Sequence, residues 1–97
     1  MIHEMDLLDV VSYYIKPDQE LRLSIKELIG IKEKIESAFS SIEVEIDDSS
    51  IHRLQRKYSD SVTFKDSSIQ INFSTKEYKE VMQLRSSYME DRLKQIF

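Results

Sequence analysis

The chain lacks cysteine entirely and has only one glycine and one proline, Gly30 and Pro17, among its 97 residues. Without cysteine, disulfides, cysteine-ligated zinc, iron–sulfur clusters and thiol catalysis are excluded. A single glycine leaves no glycine-rich phosphate loop and no G-x-S-x-G nucleophile turn. The two histidines, His3 and His52, lie far apart and do not have the spacing of metal ligands. These absences argue against most enzymes, and we predict a non-enzymatic protein that needs no cofactor and binds no metal ion.

Long hydrophobic runs are missing as well. No segment approaches the roughly 18 consecutive apolar residues of a membrane span, and the sequence starts without the basic region of a secretory signal. We therefore expect a cytoplasmic protein that does not associate with membranes. The length, with 40% hydrophobic and 33% charged residues, predicts one globular domain over residues 1–97. The composition, rich in serine, isoleucine and lysine, suits a bacterial or phage protein.

Charge is distributed unevenly along the chain. Residues 1–50 hold twelve acidic and five basic side chains, whereas residues 51–97 hold nine basic and six acidic ones, and the whole chain has a net charge of −4. An acidic chain is a poor ligand for nucleic acid, because phosphate binding draws its affinity from a basic surface. The asymmetry is typical of a protein that meets a charged partner or a second copy of itself. We expect a protein partner, with a homodimer as one version and nucleic acid less favoured.

The N-terminal half predicts a pair of helices. Apolar residues recur at helical spacing over residues 6–15, although the β-branched and aromatic end of this stretch also suits a strand that pairs across Pro17 with residues 21–23. A second helix is predicted up to about Ser40. It starts either at Pro17 or, after a short strand at residues 21–23, at a capping box that begins with Ser24.

The middle of the chain predicts a small sheet. Residues 42–46 alternate strictly between apolar and acidic side chains, as a half-buried strand does. Residues 62–65 and 69–73, joined by a three-residue connection, predict a hairpin, and residues 51–58 predict one or two helical turns before it. Together these elements predict an α+β fold with a small, mainly antiparallel sheet of about three strands.

A long C-terminal helix is predicted to start at Ser74, to run to the end of the chain and to pack on this sheet. Its apolar residues cover well over half of its circumference, which is more than packing on one sheet requires. The part of this apolar surface that the sheet would not cover predicts a partner-binding stripe, made of residue types that are enriched at interfaces. This stripe comprises Tyr78, Met82, Arg85, Tyr88, Met89 and Arg92. The alternative is that Arg85 and Arg92 lay their aliphatic stems along the core edge and keep their guanidinium groups in water.

A second candidate surface is the densest basic segment of the chain. If residues 51–58 are helical, Arg53, Arg56 and Lys57 share one face and form a patch for phosphates or for the carboxylates of a partner. The alternative is an exposed connector whose bases pair with the acidic strand at residues 42–46, since surface ion pairs often have little effect.

Two functional hypotheses follow. The first is a small non-enzymatic protein-binding domain, such as an adaptor, an inhibitor, an immunity-type protein or a regulatory factor, that binds through its C-terminal helix. The second is a winged-helix-like DNA-binding regulator, with a helix-turn-helix around Gly30 and the hairpin as its wing. Glu33 and Glu36 count against it, because they lie on the face of the second helix that would meet phosphates.

Overall fold

The fold was analysed in a computed structural model that describes residues 2–96, and it contains five helices and five strands over that range. The elements in chain order are β1 (His3–Met5), α1 (Leu7–Val11), β2 (Leu21–Ser24), α2 (Ile25–Ala38), β3 (Ile42–Val44), α3 (Asp48–Lys57), β4 (Val62–Lys65), β5 (Ser68–Ile71), α4 (Thr75–Gln83) and α5 (Ser87–Leu93). The predicted α+β class is confirmed.

The strands form two separate sheets. An antiparallel sheet has the order β2-β5-β4, so the predicted three-stranded antiparallel sheet is present. Its third strand is β2, however, and not the strand predicted at residues 42–46. That segment forms β3, which pairs in parallel with β1. The alternation of residues 42–46 identified a strand but carried no information about its neighbour, because β1 is only three residues long and has no pattern of its own.

The hairpin of β4 and β5 is present, with a tighter turn than predicted. Lys65 pairs with Ser68, so the loop consists of Asp66 and Ser67 alone. Both loop residues have positive φ, 55° and 57°, as a type I′ turn requires. This turn fixes the register of the hairpin and therefore which backbone groups of β4 face β5.

The predicted helical pair at the N-terminus is wrong, because β2 separates the two helices. Within the predicted segment 6–15, α1 covers only five residues, and the chain continues as turns. The Ser24 capping box is confirmed: the Glu27 N–H donates to Ser24 Oγ over 3.1 Å, and α2 begins after a strand. The alternative hairpin within residues 10–24 is also wrong, since β2 pairs with β5.

Gly30 lies inside α2, which continues as one helix of 14 residues. Gly30 is exposed, its φ is not positive, and a Cβ there would meet no atom of residues 2–96 within 4 Å apart from its chain neighbours and the backbone of its own helix. A glycine in a helix interior costs only about 1 kcal/mol relative to alanine, which the buried Leu28 and Ile35 on either side offset. The turn that a helix-turn-helix needs at Gly30 is therefore absent, and the DNA-binding hypothesis loses its structural basis.

The prediction of one long C-terminal helix is also wrong. The chain forms two short helices, α4 and α5, separated by residues 84–86, and the predicted end of the helix at Phe97 lies outside the described residues. The break has a packing reason. Val81 of α4 belongs to one apolar core, whereas Met89 and Leu93 of α5 belong to another, and the change of direction lets each helix reach its own core.

The two cores are linked by α2. The larger core lies between the three-stranded sheet and helices α1, α3 and α4, and the smaller core lies between β1, β3 and α5. Leu28 belongs to the larger core, Ile35 to the smaller one, and the half-buried Ile31 packs against both. None of the helices within residues 2–96 combines the length and apolarity needed to cross a bilayer.

Candidate functional site

The residues of the predicted stripe do not form one continuous face. Tyr78 and Met82 lie on α4 and pack, half-buried, against the larger core. Met89 is buried in the smaller core. The other three residues contact the rest of the chain through their polar or aromatic groups, as described next.

Arg85 lies in the break between α4 and α5 and reaches back to the end of α1. Its Nη2 donates to the backbone oxygen of Ser12 over 2.7 Å, and its guanidinium carbon lies 4.1 Å from the ring centroid of Tyr13. Glu90 lies 3.9 Å away on the other side, and only 20% of the Arg85 side chain is exposed. Arg85 is thus held inside the fold, against the carboxyl end of a helix, where a cation is favoured.

Tyr88 attaches α5 to His3 of β1 and to Ser41, just before β3, and Arg92 packs on Tyr88 within the same helix. The Tyr88 ring stacks on His3 with centroids 3.8 Å apart, and the Arg92 guanidinium carbon lies 3.5 Å from the same ring centroid. The Tyr88 hydroxyl is hydrogen-bonded to Ser41 Oγ over 3.0 Å. Five of the six stripe residues are half-buried and Met89 is buried, and contact of the stripe with a partner stays a prediction.

The basic segment, in contrast, faces solvent. Asp47 caps α3 by accepting the Ser50 N–H over 2.8 Å, and the helix is longer than predicted. Arg53, Arg56 and Lys57 are all exposed. Arg53 forms an ion pair with Glu45, just beyond β3, so the predicted pairing with the chain's own acidic segment holds for this one base. Within residues 2–96, Arg56 and Lys57 have no ion pair.

A groove of about 990 Å³ runs between α3 and β4. Its polar wall includes His52, Arg53 and Arg56 from α3, and its floor includes residues 62–64 from β4. Two arginines and one histidine line it, with no carboxylate among its lining residues. Side chains alternate along a strand, so Thr63 points to one face of the sheet and Val62 and Phe64 point to the other. All three residues line the groove, which therefore follows the edge of β4 itself.

That edge carries backbone groups without a partner in the sheet. The Asn72 N–H donates to the Ser61 oxygen over 2.9 Å, which extends the hydrogen-bonded pairs of the hairpin. In an antiparallel ladder, residue pairs that are hydrogen-bonded alternate with pairs that are not. Thr63 and Lys65 therefore bond to β5, whereas the N–H and C=O of Phe64 point away from it. No other described residue forms a hydrogen bond with these two groups.

The edge of β3 is closed by side chains. Glu36 Oε2 accepts the Val44 N–H over 2.9 Å, and Lys32 Nζ donates to the Val44 oxygen over 2.7 Å. Lys32 and Glu36 also pair with each other over 2.7 Å. The hydrogen bonds from Lys32 and from the Val44 N–H lower the pKa of Glu36, which keeps this bridge charged.

The other two edges place a charged residue where β4 places Phe64. By the same alternation, the outward-pointing backbone groups belong to Arg22 in β2 and to Glu4 in β1. Charged side chains on an edge strand discourage pairing with another chain. Among the edges in residues 2–96 that are not closed by side chains, β4 is the one at which an apolar residue, Phe64, carries the outward-pointing groups.

The side chain of Phe64 is exposed as well. Phe64 pairs with Ile69, which is fully buried, so both side chains lie on the core-facing side of the sheet. Even so, 38% of Phe64 is exposed. The sequence predicted the strand at residues 62–65 but gave no signal that it would lie at the edge of the sheet.

One carboxyl group outside the groove has an unusual pKa. Asp6 and Asp9 form a reciprocal cap on α1: the Asp9 N–H donates to Asp6 Oδ1 over 2.9 Å, and the Asp6 N–H donates to Asp9 Oδ2 over 3.1 Å. Burial of Asp9, together with the nearby charge of Asp6, raises the pKa of Asp9 to about 6.

We predict that Asp9→Asn increases stability at neutral pH and not in acid. A carboxyl with a raised pKa in the folded state binds its proton more tightly there, so its stabilising effect is complete below about pH 4 and is lost as the pH rises through 6. The variant should gain about 1 kcal/mol near pH 8, a value reduced for the partial exposure of Asp9, and almost nothing near pH 4. Urea unfolding at both pH values measures this, and an equal difference at both would contradict it.

Within residues 2–96, no three histidine, aspartate or glutamate side chains are grouped so as to hold a metal ion. No protein-family model, no curated protein and no solved structure matches this chain.

Proposed function

We propose that this chain is a small, non-enzymatic protein-binding domain of the adaptor, inhibitor, immunity-type or regulatory kind, and that it binds its partner in the groove between α3 and β4. The observation that carries this proposal is the edge of β4. At Phe64 the outward-pointing backbone groups and an exposed aromatic ring coincide beside two exposed arginines.

Each of these features contributes to known modes of protein recognition. A partner segment that adds to a sheet edge gains backbone hydrogen bonds, and the side chains beside the edge provide specificity. Aromatic and arginine side chains are the types that most often dominate binding energy at interfaces. We place the binding surface in the groove and not on the C-terminal helix, because Arg85 and Tyr88 already bind other parts of the chain and Arg92 packs on the Tyr88 ring.

Site-specific photo-crosslinking tests this proposal. With p-benzoylphenylalanine in place of Phe64, irradiation in native cells is expected to give a discrete adduct of higher mass, and Arg56→Glu in the same chain should abolish it. The matched control places the crosslinker at Ile29, which is 44% exposed on α2. No adduct from position 64, or equal adducts from both positions, would contradict the proposal.

A further inference from the structure

We infer that the occupant of the groove is an acidic, extended segment of a different protein, which adds to β4 as a further strand of the three-stranded sheet. This inference rests on the proposed function, because it requires the groove to be a protein-binding surface. It adds the chemistry and the conformation of the partner.

Charge identifies the partner's chemistry. The chain as a whole has a net charge of −4, yet the groove is lined by Arg53, Arg56 and His52 without a carboxylate. Arg56 has no ion pair within residues 2–96, and the pair of Arg53 with Glu45 lies at the surface, where such pairs are weak and exchange readily. A carboxylate-bearing segment is therefore attracted to this groove, whereas the net negative charge of the chain as a whole disfavours its binding elsewhere.

The backbone identifies the partner's conformation. The outward N–H and C=O of Phe64 form one hydrogen-bonding position, which a single residue of an added strand fills with two hydrogen bonds. Side chains that are directly opposite each other in an antiparallel pair lie on the same face. An apolar residue opposite Phe64 would cover its ring, and residues two positions away on the same face would lie on the side of α3, where Arg53 and Arg56 are. The preferred segment thus has an apolar residue opposite Phe64, an acidic residue two positions before it and two positions after it, and any residue at the positions between.

A second copy of this chain fits less well. Symmetric pairing of β4 with β4 would bring the grooves of two copies together, each with Arg53 and Arg56, and like charges across an interface are unfavourable. The acidic segment around β3 cannot supply the strand, because its outward backbone groups at Val44 are bound by Lys32 and Glu36. The groove is therefore assigned to another protein.

The first test uses synthetic peptides and fluorescence anisotropy. The probe is a short labelled peptide with a central valine, glutamate two positions away on either side and threonine at the positions between, so that valine and both glutamates lie on the face of α3. We expect it to bind the intact protein, with an affinity that falls as salt is added. A peptide with lysine in place of glutamate, and a peptide with a methylated amide at the central valine, should each bind about tenfold more weakly or worse.

The second test uses variants with matched controls. Phe64→Pro removes both the outward N–H and the exposed ring but no hydrogen bond of the hairpin, because Phe64 does not bond to β5, and it should weaken peptide binding about tenfold or more. Phe64→Ala removes the ring alone and should weaken binding less. Arg22→Pro removes the outward N–H on the edge of β2 and should leave binding unchanged. Arg56→Glu should also weaken binding about tenfold, whereas Lys34→Glu, an equal charge change on α2, should not.

The outcomes separate the two proposals. If crosslinking at position 64 captures a protein but the acidic peptide binds no better than its lysine counterpart, the acidic partner is wrong and the groove remains a binding surface. If the peptide preference is present but the methylated amide has no effect, the strand addition is wrong. If light scattering shows a dimer that Phe64→Pro dissociates, the occupant is a second copy, which overturns the inference.

Discussion

Arg85→Ala is expected to lower the free energy of unfolding by about 2–3 kcal/mol. The substitution removes a charged hydrogen bond of 2.7 Å to the backbone oxygen of Ser12, a buried residue at the end of α1. It also removes the guanidinium group from the face of Tyr13. Arg85 joins the α4–α5 break to the end of α1, two parts of the chain that are far apart in sequence, so its loss should also loosen α5.

Chemical denaturation measures this effect, and Arg56→Ala is the matched control. Arg56 is exposed and has no ion pair within the described part of the chain, so its truncation should change stability by no more than about 0.5 kcal/mol. The same two variants distinguish the two candidate surfaces. Arg85→Ala should leave binding of the acidic peptide intact in the folded protein, and Arg56→Ala should weaken it. An Arg85→Ala variant of normal stability that fails to capture a partner would restore the C-terminal stripe as the binding surface.

Glu36→Ala is expected to cost about 2 kcal/mol and to make the protein self-associate. The Val44 N–H would lose its acceptor, and Lys32 would lose its ion pair beside the strand. Without the Glu36 carboxylate, the Val44 N–H at the edge of β3 has no acceptor, and Lys32 alone covers the Val44 oxygen. An edge that is open in this way favours edge-to-edge pairing.

Two measurements check this prediction. Denaturation should show the loss of stability, and sedimentation or light scattering should show concentration-dependent association. Glu33→Ala, on an exposed position of the same helix, should produce neither effect beyond about 0.5 kcal/mol. The hydrogen bonds to Glu36 lower its pKa, so the stabilisation from this bridge should be present at neutral pH and disappear as the pH falls through that lowered value. A Glu36→Ala protein that is stable and monomeric would show that β3 needs no such closure.

The elements that the sequence predicted well depend on neighbouring residues. The hairpin of β4 and β5 follows from period-two alternation around a turn, and the α2 and α4 caps follow from a serine with a glutamate three positions later. In each case the stabilising contacts are made within a few residues, so the pattern that specifies them is visible along the chain.

The elements that it predicted wrongly depend on distant residues. The parallel pairing of β1 with β3 joins segments about 40 residues apart and has no local signature. The break after α4 follows from two cores that the helical periodicity of residues 75–93 cannot distinguish. The partner stripe stays a prediction, but two of its residues have contacts that the helical pattern did not indicate: Arg85 binds the end of α1, and Tyr88 stacks on His3 of β1.

By itself, the sequence determined the fold class, the local caps and turns, the lack of cysteine chemistry and the basic character of α3. Only the tertiary structure decided which of the basic and aromatic residues face solvent. Burial and edge position are properties of packing between segments that are distant in sequence, and the alternation of side chains along a strand is the same at a sheet edge and at its centre. For that reason Arg85 is held inside the fold, and Phe64, an ordinary member of a strand pattern, lies exposed beside Arg53 and Arg56.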